Sequence, residues 1–263
     1  MLAATLGDHT DQVNSVDFSP DGKRLASGSL DQTVIIWEVA TYKAIRVLRH
    51  PTGAILSVRF SPDGRYLATG NSDGTVGLWS VSTGEPIDTL KGHTQSILSV
   101  QFDPSSKILA SGSADSTAKL WEISTGQLLK TLRHNNWLWS VAFSPDGSCL
   151  ATGCNDQTLK LWEVPTGHSL TELKGYTSWV MSVQFSPDSK LLASGSLDRT
   201  IKLWDMSKNK VKQTLHGHTG WVESICFSPD GKRLASSSSD CTVKLWDVRT
   251  DRKSTRLNSS HYS

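Results

Sequence analysis

The sequence has no run of about 18 apolar residues, the length that a membrane-spanning helix needs. Its first ten residues, MLAATLGDHT, carry neither a basic start nor a full apolar stretch, so a secretory signal is not expected. The four cysteines, Cys149, Cys154, Cys226 and Cys241, form no CxxC pair. That argues against a zinc site or a disulfide framework and for reduced thiols in an intracellular, cytoplasmic or nuclear, setting. An excess of one charge is lacking too: 27 basic and 25 acidic residues leave a formal net charge of +2. A nucleic-acid binder carries a basic footprint, so nucleic acid is not expected as a direct ligand. There is no P-loop, no dinucleotide-binding glycine fingerprint and no HExxH. His216 and His218 are a weak metal pair at best, and no cofactor or metal is expected. No segment repeats its apolar residues with a helical period, which points to an all-β chain.

Repetition is what the sequence does have. LASGSLDQTVIIWE from Leu25 returns as LATGNSDGTVGLWS from Leu67, LASGSADSTAKLWE from Leu109 and LATGCNDQTLKLWE from Leu150. LASGSLDRTIKLWD from Leu192 and LASSSSDCTVKLWD from Leu234 complete the series. The tryptophans that close the six copies, Trp37, Trp79, Trp121, Trp162, Trp204 and Trp246, are spaced 42, 42, 41, 42 and 42 residues apart.

Each copy reads as four short strands. SVQFSPD-type segments alternate apolar positions such as Val183 and Phe185. SPDG at Ser144–Gly147 suits a type I turn. LLASGS is a second strand, and a tight turn at Asp198 leads into TIKLW, rich in β-branched and apolar residues. LLKTL at Leu128–Leu132 is the fourth strand of its unit. One such sheet cannot bury both faces by itself, but six stacked around an axis can, as a β-propeller of six four-stranded blades.

The period, the Gly-His pairs at Gly92–His93 and Gly217–His218, and the Trp-Asp pairs at Trp204–Asp205 and Trp246–Asp247 resemble the WD-repeat β-propeller family. The resemblance covers about residues 1–250. It places a propeller at 1–252, with units at about 6–49, 50–91, 92–133, 134–174, 175–216 and 217–252. LAATL at Leu2–Leu6 aligns with LLKTL and is expected to close the ring as the outer strand of the sixth unit. Residues 253–263, KSTRLNSSHYS, read as a disordered polar tail or an adapter-derived addition, which leaves room for a seven-bladed or larger natural protein.

Ser, His and Asp recur together in these units, and one copy alone could pass for a hydrolase triad. The resemblance implies a structural His–Ser/Thr–Asp–Trp tetrad instead. Its members would be His9, Ser27, Asp31 and Trp37 in the first unit, and His93, Ser111, Asp115 and Trp121 in the third. His134, Thr152, Asp156 and Trp162 would form the fourth, and His218, Ser236, Asp240 and Trp246 the sixth. An enzyme needs one such site, whereas this trio returns at a fixed period with Ser and Thr exchanged, so no catalytic residue is expected. Unit two departs, because His50 precedes Pro51 with one extra residue before Trp79. Unit five departs as well: Tyr176 stands in the histidine position before Ser194, Asp198 and Trp204, which predicts a less rigid blade than the sixth.

On a repeat scaffold, function lies where equivalent positions differ. Just before each innermost strand the units read Gln12, Ala54, Ser96, Trp137, Trp179 and Trp221. The resemblance puts this position on the rim of the central channel. The three tryptophans, with Leu197 and Asn155 beside them, are the expected surface for partner proteins or peptides. Trp139 is expected to pack between blades. The chain thus reads as a non-enzymatic protein-interaction scaffold. The alternatives are a subunit of an RNA-processing or chromatin assembly, or a regulatory propeller of a larger signalling protein.

Overall fold

The structure, a computed structural model, describes residues 3–248. Among these residues there are strands and no helix, and so none long and apolar enough to cross a membrane. Blade 1 is built from β1 (Val13–Phe18), β2 (Arg24–Ser29), β3 (Thr33–Glu38) and β4 (Lys43–Arg49). Blade 2 comprises β5 (Ile55–Phe60), β6 (Tyr66–Asn71), β7 (Thr75–Ser80) and β8 (Pro86–Lys91). In blade 3 the strands are β9 (Ile97–Phe102), β10 (Ile108–Ser113), β11 (Thr117–Glu122) and β12 (Leu128–Arg133). Blade 4 holds β13 (Leu138–Phe143), β14 (Cys149–Cys154), β15 (Leu159–Glu163) and β16 (Ser169–Leu173). Blade 5 follows with β17 (Val180–Phe185), β18 (Leu191–Ser196), β19 (Ile201–Asp205) and β20 (Lys210–Leu215). Blade 6 has β21 (Val222–Phe227), β22 (Arg233–Ser238) and β23 (Thr242–Asp247). Within each blade the strands run antiparallel in sequence order.

Local chemistry explains the hairpins. Before the third strand of each unit an aspartate folds back on its own backbone: Asp31 Oδ1 accepts from Thr33 N–H at 2.9 Å and from the Thr33 hydroxyl at 2.6 Å. The residue between them takes a left-handed conformation, as at Gln32 (φ 67°) and Gly74 (φ 82°), which Asp-anchored turns tolerate. The SPDG segment forms the expected turn, with Gly147 N–H on the Ser144 carbonyl at 2.8 Å and Gly147 at φ 73°.

Packing between blades makes the core. At the first junction Ala26, Val34, Ile36 and Leu48 meet Ile55, Val58, Phe60 and Trp79 of blade 2. The pattern returns at four further junctions. A serine clips each junction at the channel side. Ser15 Oγ accepts from Val58 N–H at 3.1 Å, and Ser57, Ser99, Ser140 and Ser182 accept from the next blade in the same way. Cys149 and Cys154 face opposite junctions, as their five-residue separation requires, and burial raises both thiols, to about 11 and about 12.

Two features differ from a closed ring of four-stranded sheets. Blade 6 has three strands among the described residues, and residues 3–6, expected to close it, form no strand. An outer strand from the N-terminus can pair with β23 only if blade 6 packs on blade 1. That junction is not formed: Val16 and Phe18 are 54% and 59% exposed, whereas Val58, Phe60 and their other counterparts are buried. The expectations for residues 249–263 lie outside the described residues.

Candidate functional site

The repeated polar chain carries the residue types of a hydrolase. In blade 3, Trp121 Nε1–H donates to Ser111 Oγ at 2.8 Å, and His93 Nε2 lies 2.8 Å from the same oxygen. His93 Nδ1 is 2.8 Å from Asp115 Oδ2. A carboxylate only accepts, so Nδ1 carries the proton and Nε2 accepts the serine hydroxyl. The bonds therefore run one way, from Trp to Ser to His to Asp. Blades 1 and 6 repeat this at 2.7–2.8 Å through His9, Ser27, Asp31, Trp37 and through His218, Ser236, Asp240, Trp246. Burial would raise the Asp31 carboxyl, but hydrogen bonds from Thr33, Thr10 and His9 outweigh it and hold the group below its ordinary range. The serine oxygens are buried and each is engaged by an indole, so none is presented to a substrate.

The other three blades depart from this arrangement. In blade 4, Trp162 Nε1–H donates to Thr152 Oγ1 at 2.9 Å and His134 Nε2 is 3.1 Å from it. The chain stops there, with His134 Nδ1 and Asp156 Oδ2 buried and unpartnered. Cys154 occupies the place of Ser113 of blade 3, and Asp156 N–H reaches its sulfur at 3.5 Å rather than a hydroxyl at 3.1 Å. The longer contact accompanies the broken link. In blade 2 the extra residue turns His50 toward Gly53 N–H and Thr75, leaving Trp79 with a 3.4 Å bond to Thr69.

Blade 5 replaces the histidine without losing connection. The Tyr176 hydroxyl sits 2.5 Å from Ser194 Oγ and accepts from Trp204 Nε1–H at 2.9 Å, while the ring joins the core. Asp198 is tied separately to Thr177 and Thr200. Against the looser fifth blade expected from the sequence stands the connected Tyr176 chain, whereas blade 6 shows three strands among the described residues and an exposed face at Val243. Amide exchange should be faster in β22 and β23 than in β18 and β19, and hydrogen-exchange mass spectrometry measures it directly.

The rim is the second constellation. Trp137, Trp179 and Trp221 are exposed. Trp139 lies between two of them, stacked on Trp179 (centroids 5.8 Å, planes 15° apart) and tilted against Trp137 at 6.1 Å. Such ring geometry is favourable beyond the area it buries. No ring contact joins Trp221 to this group among the described residues. Backbone hydrogen bonds bring the flanking residues into place: Asn155 N–H reaches the Trp137 carbonyl at 2.9 Å, and Leu197 N–H the Trp179 carbonyl at 3.0 Å. Ser239, which sequence reasoning passed over, stands likewise beside Trp221 and accepts its N–H at 2.8 Å. Trp139 Nε1 and Asn155 Oδ1 are buried with no hydrogen-bond partner.

A bulge puts Trp139 there. The register of β13 on β14 slips between Leu138 and Ser140, so Trp139 is the extra residue and its ring is re-aimed. The signal lies in the sequence: Leu138, Val141 and Phe143 are all buried, at spacings of three and then two instead of two throughout.

The repeat chemistry and the bladed architecture agree with two sequence families. The one described as "WD domain, G-beta repeat" matches residues 2–38 and 42–80, and the one described as "Echinoderm microtubule-associated protein second beta-propeller" matches residues 101–261. The chain belongs to the WD-repeat β-propeller family. WD-repeat propellers generally bind other proteins, as interaction scaffolds. Among curated proteins the chain is similar to "Ribosome biogenesis protein BOP1 homolog" of Aedes aegypti, 50% identical over 48 residues. That stretch is 18% of this chain and 5% of the relative. The Drosophila virilis and Drosophila melanogaster proteins of the same name are 55% identical over 40 residues, 15% of this chain and 5% of each relative. The match spans 5% of these relatives' length, about one WD repeat, so the likeness is one of repeat units.

Proposed function

We propose that this WD-repeat propeller is a non-enzymatic scaffold that captures a protein or peptide partner on the rim of blades 4 to 6. The observation that carries this reading is the stacked Trp137–Trp139–Trp179 group, with Trp137 and Trp179 exposed on a rigid frame. Tryptophan is favoured at binding hot spots, and a group held by stacking and backbone bonds loses little freedom when a partner arrives. Trp221, Asn155 and Leu197 extend the surface. The buried, indole-bonded serines support the non-enzymatic part of the reading.

Trp137→Ala, Trp179→Ala and Trp221→Ala together should abolish partner capture, since a hot-spot tryptophan contributes about 2 kcal/mol or more, roughly thirtyfold in affinity. The three side chains are exposed, so the triple variant should keep its thermal transition. Affinity capture with parent and variant side by side makes the comparison, and equal recovery by a folded variant would reject the rim surface.

A second reading, a subunit of an RNA-processing assembly, is favoured by the one-repeat likeness to ribosome biogenesis proteins. It predicts that captured partners co-sediment with ribonucleoprotein particles. A capture unaffected by ribonuclease and free of such particles would set it aside.

A further inference from the structure

At the start of the second strand of blades 2 to 5, Tyr66, Ile108, Cys149 and Leu191 pack on the core shared with the following blade. Blade 1 places Arg24 there, facing blade 2. Arg24 Nη1–H donates to the Val81 carbonyl at 3.2 Å, and Arg46 Nη2–H donates to the next carbonyl, that of Ser82, at 2.8 Å. Arg65 of blade 2 accepts the Val81 N–H on its own carbonyl at 3.0 Å. Three arginines therefore meet at the turn between β7 and β8. The equivalent trio at the second junction is Tyr66, Asp88 and Lys107, with a single cation, and the three later junctions likewise have one each. Where equivalent positions on a repeat scaffold differ in this way, function is the first explanation to test.

Arg24 and Arg65 line a cleft of about 300 Å³ with Tyr66, Ser80, Ser82 and Ile87, and Arg46 flanks it through Ser82. No carboxylate lines this cleft. Among the described residues Arg24 and Arg46 form no ion pair. Arg65 has Asp63 at 3.9 Å, on the surface, where such pairs are weak. Glu38 lies opposite Arg24 in the β2–β3 pair but accepts the Thr41 hydroxyl at 2.6 Å. The guanidinium groups are nonetheless held in place. Carbonyls anchor Arg24 and Arg46, while Arg65 donates to the Tyr66 hydroxyl at 2.9 Å and lies 5.1 Å from the centre of that ring. A guanidinium has five N–H donors, so most remain for a ligand. Charge of one sign in a cleft draws an anion, and the planar fork of arginine matches phosphate oxygens.

We propose that this cleft binds the phosphate of a phosphoserine or phosphothreonine in a partner protein, with Arg24 and Arg65 taking its oxygens and Arg46 adding charge at Ser82. Tyr66 and Ile87, the latter 48% exposed, give apolar footing to the residue beside the phosphate. A broad anionic surface fits less well, because elsewhere on this face the lysines are balanced by their own turn aspartates. Lys190 lies 3.8 Å from Asp188, and Lys232 lies 3.9 Å from Asp230. The cleft is at the opposite end of the innermost strands from the rim tryptophans, so the two surfaces are independent.

Two fluorescent pools of short degenerate peptides test the site, one with a fixed central phosphoserine and one with serine there. Each is titrated into the full chain at about 0.15 M salt and followed by polarisation. The phosphoserine pool should bind about tenfold or more tightly. R24Q should reduce that difference. R65E, at a side chain 70% exposed and so harmless to the fold, should abolish it. K190Q with K232Q, at the equivalents of Arg65, should leave it unchanged, as should the rim triple variant. Equal binding of the two pools by the parent chain would overturn the site, and so would a difference that survives R65E. Vesicles of phosphatidylserine and phosphatidylcholine that sediment the parent but not R65E, with the two peptide pools bound alike, would assign the cleft to a lipid surface and overturn the phosphopeptide.

Discussion

Phe102→Ala should destabilise the propeller by about 3–5 kcal/mol, whereas Phe18→Ala, the same substitution at the same place in the repeat, should cost about 0.5 kcal/mol or less. Phe102 is 4% exposed and packs among Val76, Leu78, Leu90 and Trp121 where blade 2 meets blade 3. Its removal leaves a cavity that β-sheet backbones cannot collapse to fill. Phe18 lies 59% exposed on the outer face of blade 1, so little burial is lost when it is truncated. Urea unfolding of the two variants, followed by tryptophan fluorescence, compares them at one denaturant slope. Similar losses from both would mean that blade 1 is covered in solution.

Acid should weaken the fold from about pH 6.5, earlier than carboxylates alone would bring about. His134 is pushed down to about 3, chiefly by burial, with the Lys160 ammonium adding to it and Asp156 opposing it. Its Nδ1 has no acceptor that would stabilise the charged ring. An unfolded histidine titrates near 6.5. Between about pH 6.5 and 3 the unfolded chain therefore binds a proton at this position that the folded chain refuses. The stability associated with the neutral ring is present above this window and is lost as pH falls through it, by about 1.4 kcal/mol per pH unit and about 2 kcal/mol by pH 5. Burial lowers His93 too, which acts in the same direction. The tetrad aspartates Asp31, Asp115 and Asp240, held below their ordinary range, add their losses only at more acid pH. His134→Gln should flatten the dependence of the unfolding midpoint between pH 6.5 and 5, and an unchanged slope would show that the ring is protonated in the fold.

The parts that were legible in the sequence are those that repeat. Six copies of a turn-strand-turn pattern, each with an aspartate two residues before a threonine, specify hairpins through contacts that lie within one unit. The tetrads of blades 1, 3 and 6 were legible for the same reason, since His, Ser, Asp and Trp stand at constant offsets. Blade 4 shows the limit. Its offsets are the same, yet the His134–Asp156 bond is missing in the blade where Cys154 stands in place of the usual serine.

The rim shows the same division. Position singled out Trp137, Trp179 and Trp221, but which rings stack was decided by the bulge at Trp139 and the approach of blades 4 and 5. By itself the sequence determined the all-β class, the six units, their hairpins and the residues that vary around the rim, because these depend on short-range patterning. Only the tertiary structure decided that residues 3–6 form no strand, that Val16 and Phe18 stay uncovered, and that Trp139 bridges two rim tryptophans. Whether a blade face is buried depends on what arrives beside it, and a repeat carries no local record of its neighbour.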